Sequence, residues 1–216
     1  MSARNLTLMT DLYELTMMQG YFKGGTNPTA VFDVFYRDNP CGNGFAIMAG
    51  LEQVIDYVKN LHFGKEEVDY LRSTGLFDED FLEYLSNFKF SGDIYGIPEG
   101  TIIFPREPLV KVVAPIMEAQ LVETAILNII NHQCLIATKT FRVVHAAQGD
   151  GIMEFGLRRA QGPDAGIYGA RAAMIGGCIG TSNVLAGQLF DVPVKGTHAH
   201  SWIMSFPDEL TAFRTY

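Results

Sequence analysis

Residues 151–200 read GIMEFGLRRAQGPDAGIYGARAAMIGGCIGTSNVLAGQLFDVPVKGTHAH, and the rhythm of this stretch decides the fold. GIMEFG is a short apolar run bounded by glycines and predicts a strand. GPDAGIYGARAAMIGG is a loop leading into a helix. SNVLAGQLFD predicts a second helix, with Ser182 placed to cap it, and VPVKGTHAH predicts another strand. SWIMSFPDELTAFRTY then opens a further helix. Strands alternating with helices make parallel βαβ units. Closing an eight-stranded α/β barrel takes roughly 200 residues or more. The residues after position 150 are too few, which leaves a very small open α/β layer or, as the favoured reading, the first βα units of a truncated barrel in a fragment of a longer protein.

Upstream the pattern is mixed. A helix is expected from Asp11 to about Phe22, with Thr10 or Asp11 as cap, Asp11 and Glu14 spaced as a capping box, and Gly24 as a stop. AVFDVFYR alternates apolar and polar residues, which is strand periodicity. FAIMAG reads as a buried strand. LEQVIDYVKNL, KEEVDYLRSTG and DEDFLEYLSNF read as helices. Residues 93–114 are β-branched and broken by Pro and Gly, and predict a small antiparallel β unit. The segment from Met117 to Gln148 predicts two helices with a break near Asn131 to Gln133. The fold class is therefore α/β: a mixed α+β N-terminal domain over 1–149, then the start of the barrel over 150–216.

Composition narrows the function. A chain of 216 residues with 48% hydrophobic and 19% charged residues is globular. Its net charge of -8 argues against a nucleic-acid surface. Three widely spaced cysteines without a CxxC argue against a disulfide framework and fit a reducing cytoplasm. The first residues lack an apolar signal region, and no apolar run is long enough to span a membrane.

Ligands of parallel α/β folds gather at the carboxyl ends of the strands. One such end carries Arg158 and Arg159. The other carries Lys195, Gly196, Thr197, His198, His200 and Ser201. In an acidic chain this is a local concentration of cations and hydroxyls. An arginine fork suits a carboxylate or phosphate, or else a structural salt bridge. Alternation along a strand would send only one of the two arginines into a pocket. The glycine-rich QGPDAG after them adds backbone N–H groups for an anion. His198 and His200 admit three readings: metal ligands, a nucleophile with supporting hydroxyls, or ordinary strand residues. Metal binding lacks a third ligand nearby, so no metal site is assigned. An imidazole between hydroxyls can attack and carry a phosphoryl group. Tyr13 falls in a stripe with Leu12, Leu15 and Met18, which by itself favours a packing role.

TDLYELTMMQGYF, EFGLRRAQGPDAG and TSNVLAGQLFDVPVKGTHAHSW together resemble the nicotinate phosphoribosyltransferase family. FYRDNPCGNGFAIMAGLEQV and IPEGTIIFPREPL look similar too, so the resemblance covers nearly the whole chain. It implies transfer of phosphoribose from phosphoribosyl pyrophosphate to nicotinate, giving nicotinate mononucleotide and pyrophosphate, the entry step of NAD salvage. It further implies coupling to ATP hydrolysis through a phosphohistidine at His200, with Mg2+ accompanying ATP and phosphoribosyl pyrophosphate. Thr197, Arg158 and Tyr13 would then lie at the nicotinate site, with Arg159, Gly196 and Ser201 beside them. Tyr13 would be offered across a homodimer interface, and His198 falls on a variable position of the motif. The family's chains are much longer and bear further ribose-phosphate residues, so weak or absent activity is expected of these 216 residues alone. The alternatives are a sister enzyme acting on nicotinamide or quinolinate, a non-catalytic partner of a full-length enzyme, and a metal-dependent hydrolase using His198 and His200.

Overall fold

The structure is a computed structural model and describes residues 4–216. The first helix, α1 (Leu12–Lys23), buries Leu15 and Met18 one turn apart, and Gly24 closes it. The strand β1 (Thr29–Val34) follows, and then the two buried residues of β2 (Ala46–Ile47). Three short helices come next: α2 (Leu51–Lys59), α3 (Lys65–Ser73) and α4 (Glu79–Ser86). Each buries one apolar stripe and leaves its charged face to water, as amphipathic helices do.

The expected β unit at residues 93–114 does form three strands, β3 (Asp93–Gly96), β4 (Ile102–Ile103) and β5 (Val110–Pro115), but they do not pair only with one another. β5 lies between β1 and β3 in an antiparallel sheet, whereas β4 pairs with β2. The unit is thus completed by strands from before the helices. Its register sets Asp33 opposite Lys111, and the pair meets at 3.7 Å.

The expected break at Asn131–Gln133 is absent. A short α5 (Ile116–Leu121) bends at Val122 into α6 (Glu123–Ala146), which runs through the polar triplet without interruption. Ala125, Ile126, Ile129, Ile130, Gln133, Cys134, Ala137 and Thr138 form one continuous buried stripe at helical spacing, and tertiary packing overrides the local polarity. The main core gathers around these residues, with Phe81 fully buried among the helices. Burying a side chain of that size contributes about 2–3 kcal/mol.

The remaining elements form a parallel layer with one strand, β7, that the sequence reading did not include. β6 (Met153–Glu154) leads through a 3-10 turn (Leu157–Arg159) into α7 (Pro163–Ile175). β7 (Gly180–Thr181) follows, then α8 (Val184–Phe190). β6 and β7 pair in parallel, and Thr181 makes a further parallel bridge to Val194. The layer is joined to the rest by α7 lying along α6, where Ile47, Ala49, Ala137 and Ala172 pack as a small second cluster. The single helix expected after Ser201 is two, α9 (His200–Met204) and α10 (Glu209–Thr215), divided at Phe206–Pro207 and restarted by Asp208, whose carboxylate accepts the Thr211 N–H. Among the described residues no helix is long and apolar enough to cross a membrane.

Candidate functional site

Three parallel lanes define an edge. The Ile179 N–H donates to Ile152 O at 2.8 Å and the Ser182 N–H to Glu154 O at 3.0 Å, which joins β6 to β7. The Thr181 N–H donates to Pro193 O at 3.0 Å and the Lys195 N–H to Thr181 O at 2.9 Å, which joins β7 to the Val194 lane. The carboxyl ends of all three lanes point the same way. The two motif segments, from Gly156 and from Gly196, therefore leave the layer on one side, flanking β7.

Two local expectations need correction. Arg158 and Arg159 do not alternate along a strand, because β6 ends at Glu154 and they occupy the 3-10 turn, closed by the Arg159 N–H on Gly156 O at 2.8 Å. Both are exposed. The reason is Glu154, whose carboxylate accepts the Gly156 N–H and the Thr181 hydroxyl (2.6 Å) and so curls the chain away from the ladder. Likewise VPVKGTHAH is not a strand through His200. The ladder stops at Val194–Lys195, residues 196–199 are a loop, and His200 is the first residue of α9.

Gly196, Thr197, His200 and Ser201 are exposed, so the imidazole of His200 is open to a ligand. His198 turns the other way. Its ring packs 5.6 Å from Phe213 and 5.1 Å from Tyr216, which fixes the loop to α10. The structure thus separates the two histidines that the sequence placed on one face. Among the described residues no cluster of three or more His, Cys, Asp or Glu could hold a metal ion.

Tyr13 is not core. Leu15 and Met18 are buried, while Tyr13 is 47% exposed on α1, a helix that packs on α5, away from the strand edge. Burial, then the carboxylates of Glu123, Glu14 and Asp11, push its phenol above the usual range, so the hydroxyl stays protonated at neutral pH. The capping box expected at Asp11 and Glu14 is not made. Asp11 holds the N-cap position without a side-chain cap, and its carboxylate and that of Glu14 both turn to the Thr124 hydroxyl.

Four supporting residues escaped sequence reasoning. Thr181 is fully buried between the lanes. Asn183, rather than Ser182, caps α8, accepting the Ala186 N–H at 3.1 Å and donating to Gly166 O at 3.2 Å. Arg171 and Glu99 form a largely buried ion pair. The signal for the first two was the run CIGTSN, a short apolar step ending in a capping residue. The ion pair left no local signal.

Polar residues gathered at the carboxyl edge of parallel strands, behind a mixed helical and β domain, define an α/β protein of the kind that binds ligands at that edge. Residues 8–131 match the nicotinate phosphoribosyltransferase (NAPRTase) N-terminal domain. The chain is similar to nicotinate phosphoribosyltransferase of Bacillus subtilis (strain 168), with 46% identity over 213 residues, 98% of this chain and 44% of that protein. It is similar to nicotinate phosphoribosyltransferase pncB2 of Mycobacterium tuberculosis (strain ATCC 25618 / H37Rv), with 44% identity over 209 residues, 97% of this chain and 45% of that one. Among solved structures, human nicotinic acid phosphoribosyltransferase superposes with a TM-score of 0.83 at 38% identity, over 92% of this chain and 40% of that chain. The chain belongs to the nicotinate phosphoribosyltransferase family. It spans less than half the length of these relatives.

Proposed function

We propose that this chain carries the nicotinate-binding edge and the phosphate-accepting histidine of a nicotinate phosphoribosyltransferase that serves NAD salvage. The observation that supports the reading is the placement of Leu157–Arg159 and Gly196–His200 on one side of the parallel layer, either side of β7. Nicotinate is a flat ring with a carboxylate. The exposed guanidiniums of Arg158 and Arg159 suit the carboxylate. In this reading the exposed backbone of Gly196 and the Thr197 hydroxyl bond the pyridine edge. Tyr13, on a separate face, supplies an aromatic platform to the site of a second copy in a homodimer. The pyridine nitrogen attacks the anomeric carbon of phosphoribosyl pyrophosphate, that carbon's bond to the pyrophosphate oxygen breaks, and nicotinate mononucleotide and pyrophosphate result.

His200 takes the γ-phosphoryl group of ATP, with ADP leaving, and later gives it to water. Its exposure at the start of α9, next to Ser201, gives an incoming phosphate room. Mg2+ supplies charge neutralisation on the polyphosphates when bound. Glu154 lies at the carboxyl end of β6, and its oxygens are already engaged by Gly156 and Thr181. The ion therefore fits as a companion of the substrates' phosphates rather than in a protein cage.

The test is formation of nicotinate mononucleotide from nicotinate, phosphoribosyl pyrophosphate and ATP, with nicotinamide and quinolinate as competing substrates. Nicotinate is expected to be used preferentially. Intact mass after ATP should show one acid-labile phosphoryl group, absent from His200→Asn. Turnover of nicotinamide or quinolinate in place of nicotinate, or an undiminished adduct in the variant, would sink the reading.

A further inference from the structure

Glu14 is a carboxylate in the first turn of α1 with 1% of its surface exposed. Its hydrogen-bond partners are the hydroxyls of Thr10, of Thr124 at 2.9 Å and, at the outer limit of 3.5 Å, of Tyr13, with the Thr124 backbone N–H as a further donor. Two of the hydroxyl protons are contested by other acceptors. Thr124 Oγ1 stands 2.9 Å from Glu14 Oε1 and 2.8 Å from Asp11 Oδ2, with one proton to give. Thr10 Oγ1 touches Glu14 Oε2 and stands 3.3 Å from the Leu121 carbonyl, also with one proton. A proton on Glu14 Oε2 settles the Thr10 side, where Glu14 donates to Thr10 and Thr10 to Leu121 O. Thr124 keeps one proton for Asp11 Oδ2 and Glu14 Oε1, the second being only a carbonyl oxygen in the neutral acid, and the Tyr13 hydroxyl also faces Oε1.

The surroundings agree with that assignment. Asp11 at the N-cap of α1 and Glu123 on α6 are both acidic, and Tyr57 on α2 brings a buried phenol near Glu14 whose oxygen has no hydrogen-bond partner among the described residues. Burial and the Glu123 charge push the Glu14 carboxyl above its usual range, against the hydroxyl donors. Tyr13 is the preceding residue on the helix, about 100° around it. The seat of Glu14 therefore sets the direction in which the Tyr13 ring leaves the surface.

We propose that Glu14 is held as a neutral acid and acts as the positioning residue for Tyr13, latching the first turn of α1 to the junction of α5 and α6. The consequence for nicotinate rests on the function proposed above, whereas the latch itself does not. Two readouts on the intact protein test it. In 3-fluorotyrosine-labelled protein, the 19F resonance of Tyr13, assigned through Tyr13→Phe, should move in Glu14→Ala and stay in place in Glu14→Gln, which keeps a neutral group of the same shape. In kinetics, KM for nicotinate should rise several-fold in Glu14→Ala with kcat little changed, and Glu14→Gln should restore it. KM should also climb with pH in the native protein but not in Glu14→Gln. A Tyr13 resonance unmoved in Glu14→Ala overturns the latch. A moved resonance with unchanged KM overturns its role in substrate binding. Absence of nicotinate turnover in the native protein instead strikes the proposed function, and the resonance alone then decides the latch.

Discussion

Arg171 and Glu99 meet in a two-pronged pair, with Nη1 donating to Oε1 at 2.9 Å and Nη2 to Oε2 at 2.6 Å. The pair joins α7 to the loop before β4. Arg171 also donates to Gln133 Oε1 on α6 at 3.0 Å and lies 5.8 Å from the Phe190 ring on α8, and the Gly50 N–H donates to Glu99 at 2.5 Å. One guanidinium therefore fastens the parallel layer, which carries the proposed site, to the helical domain.

Removing one partner strands the other charge, because the two side chains are only 15% and 20% exposed. Arg171→Ala should cost about 3 kcal/mol, read as a lowered urea midpoint. Arg171→Met with Glu99→Leu should recover much of that loss, since an apolar pair leaves no orphan charge. A double-variant loss equal to the sum of the two single losses would show that the pair is not coupled.

The same pair gives an acid limb to stability. Burial raises the Glu99 carboxyl, but the hydrogen bonds and charge of Arg171, with backbone donors from Gly50 and Glu52, outweigh it and leave the group below its usual 4.5. A depressed carboxylate stabilises the fold above its unfolded value and loses that contribution as pH falls through the folded one. Resistance to urea should therefore weaken below about pH 4.5, and Glu99→Gln, although less stable at neutral pH, should show a flatter acid limb.

Glu14 predicts the opposite slope. Its carboxyl is raised above 4.5, so the native state holds a proton that the unfolded chain has released. That contribution is full below the unfolded value and fades as pH climbs toward the folded one. Stability measured from pH 5 upward should decline more in the native protein than in Glu14→Gln. Parallel curves would place a charged carboxylate at this buried position.

What the sequence revealed follows from where each signal resides. The helix at residues 51–59 is written locally, because Val54 and Tyr57 repeat one face and the charges take the other. The parallel rhythm after residue 150 was legible for the same reason. β7 was not, since two residues are too few for a period and its ladder is set by the carbonyls of Ile152 and Pro193 on other segments. The capping box failed because Thr124, 110 positions away, offers Glu14 a buried partner. Gln133 looked like a helix breaker, yet it donates to Gln53 at 2.7 Å and accepts from Arg171, so the fold satisfies it where the helix alone would not. Motif residues marked the strand edge, but the side chains that hold that edge in place come from distant positions.

The closest test of that edge is Gly187 in α8. A Cβ built there would lie 2.1 Å from Val194 Cγ2 and 3.3 Å from Val192 O. Alanine is the better helix former by about 1 kcal/mol. The overlap works against it, since overpacking costs about 1–3 kcal/mol and contact at this distance cannot be relieved without moving Val194. Val194 is the last paired residue before the Gly196–His200 loop, so a displaced strand carries the proposed phosphate acceptor with it. Gly187→Ala should therefore lower both stability and His200 phosphorylation. Adding Val194→Ala frees the space and should return part of both. Should Gly187→Ala alone prove more stable than the native protein, helix propensity would outweigh packing here and the close approach of α8 to this strand would not be what seats the loop.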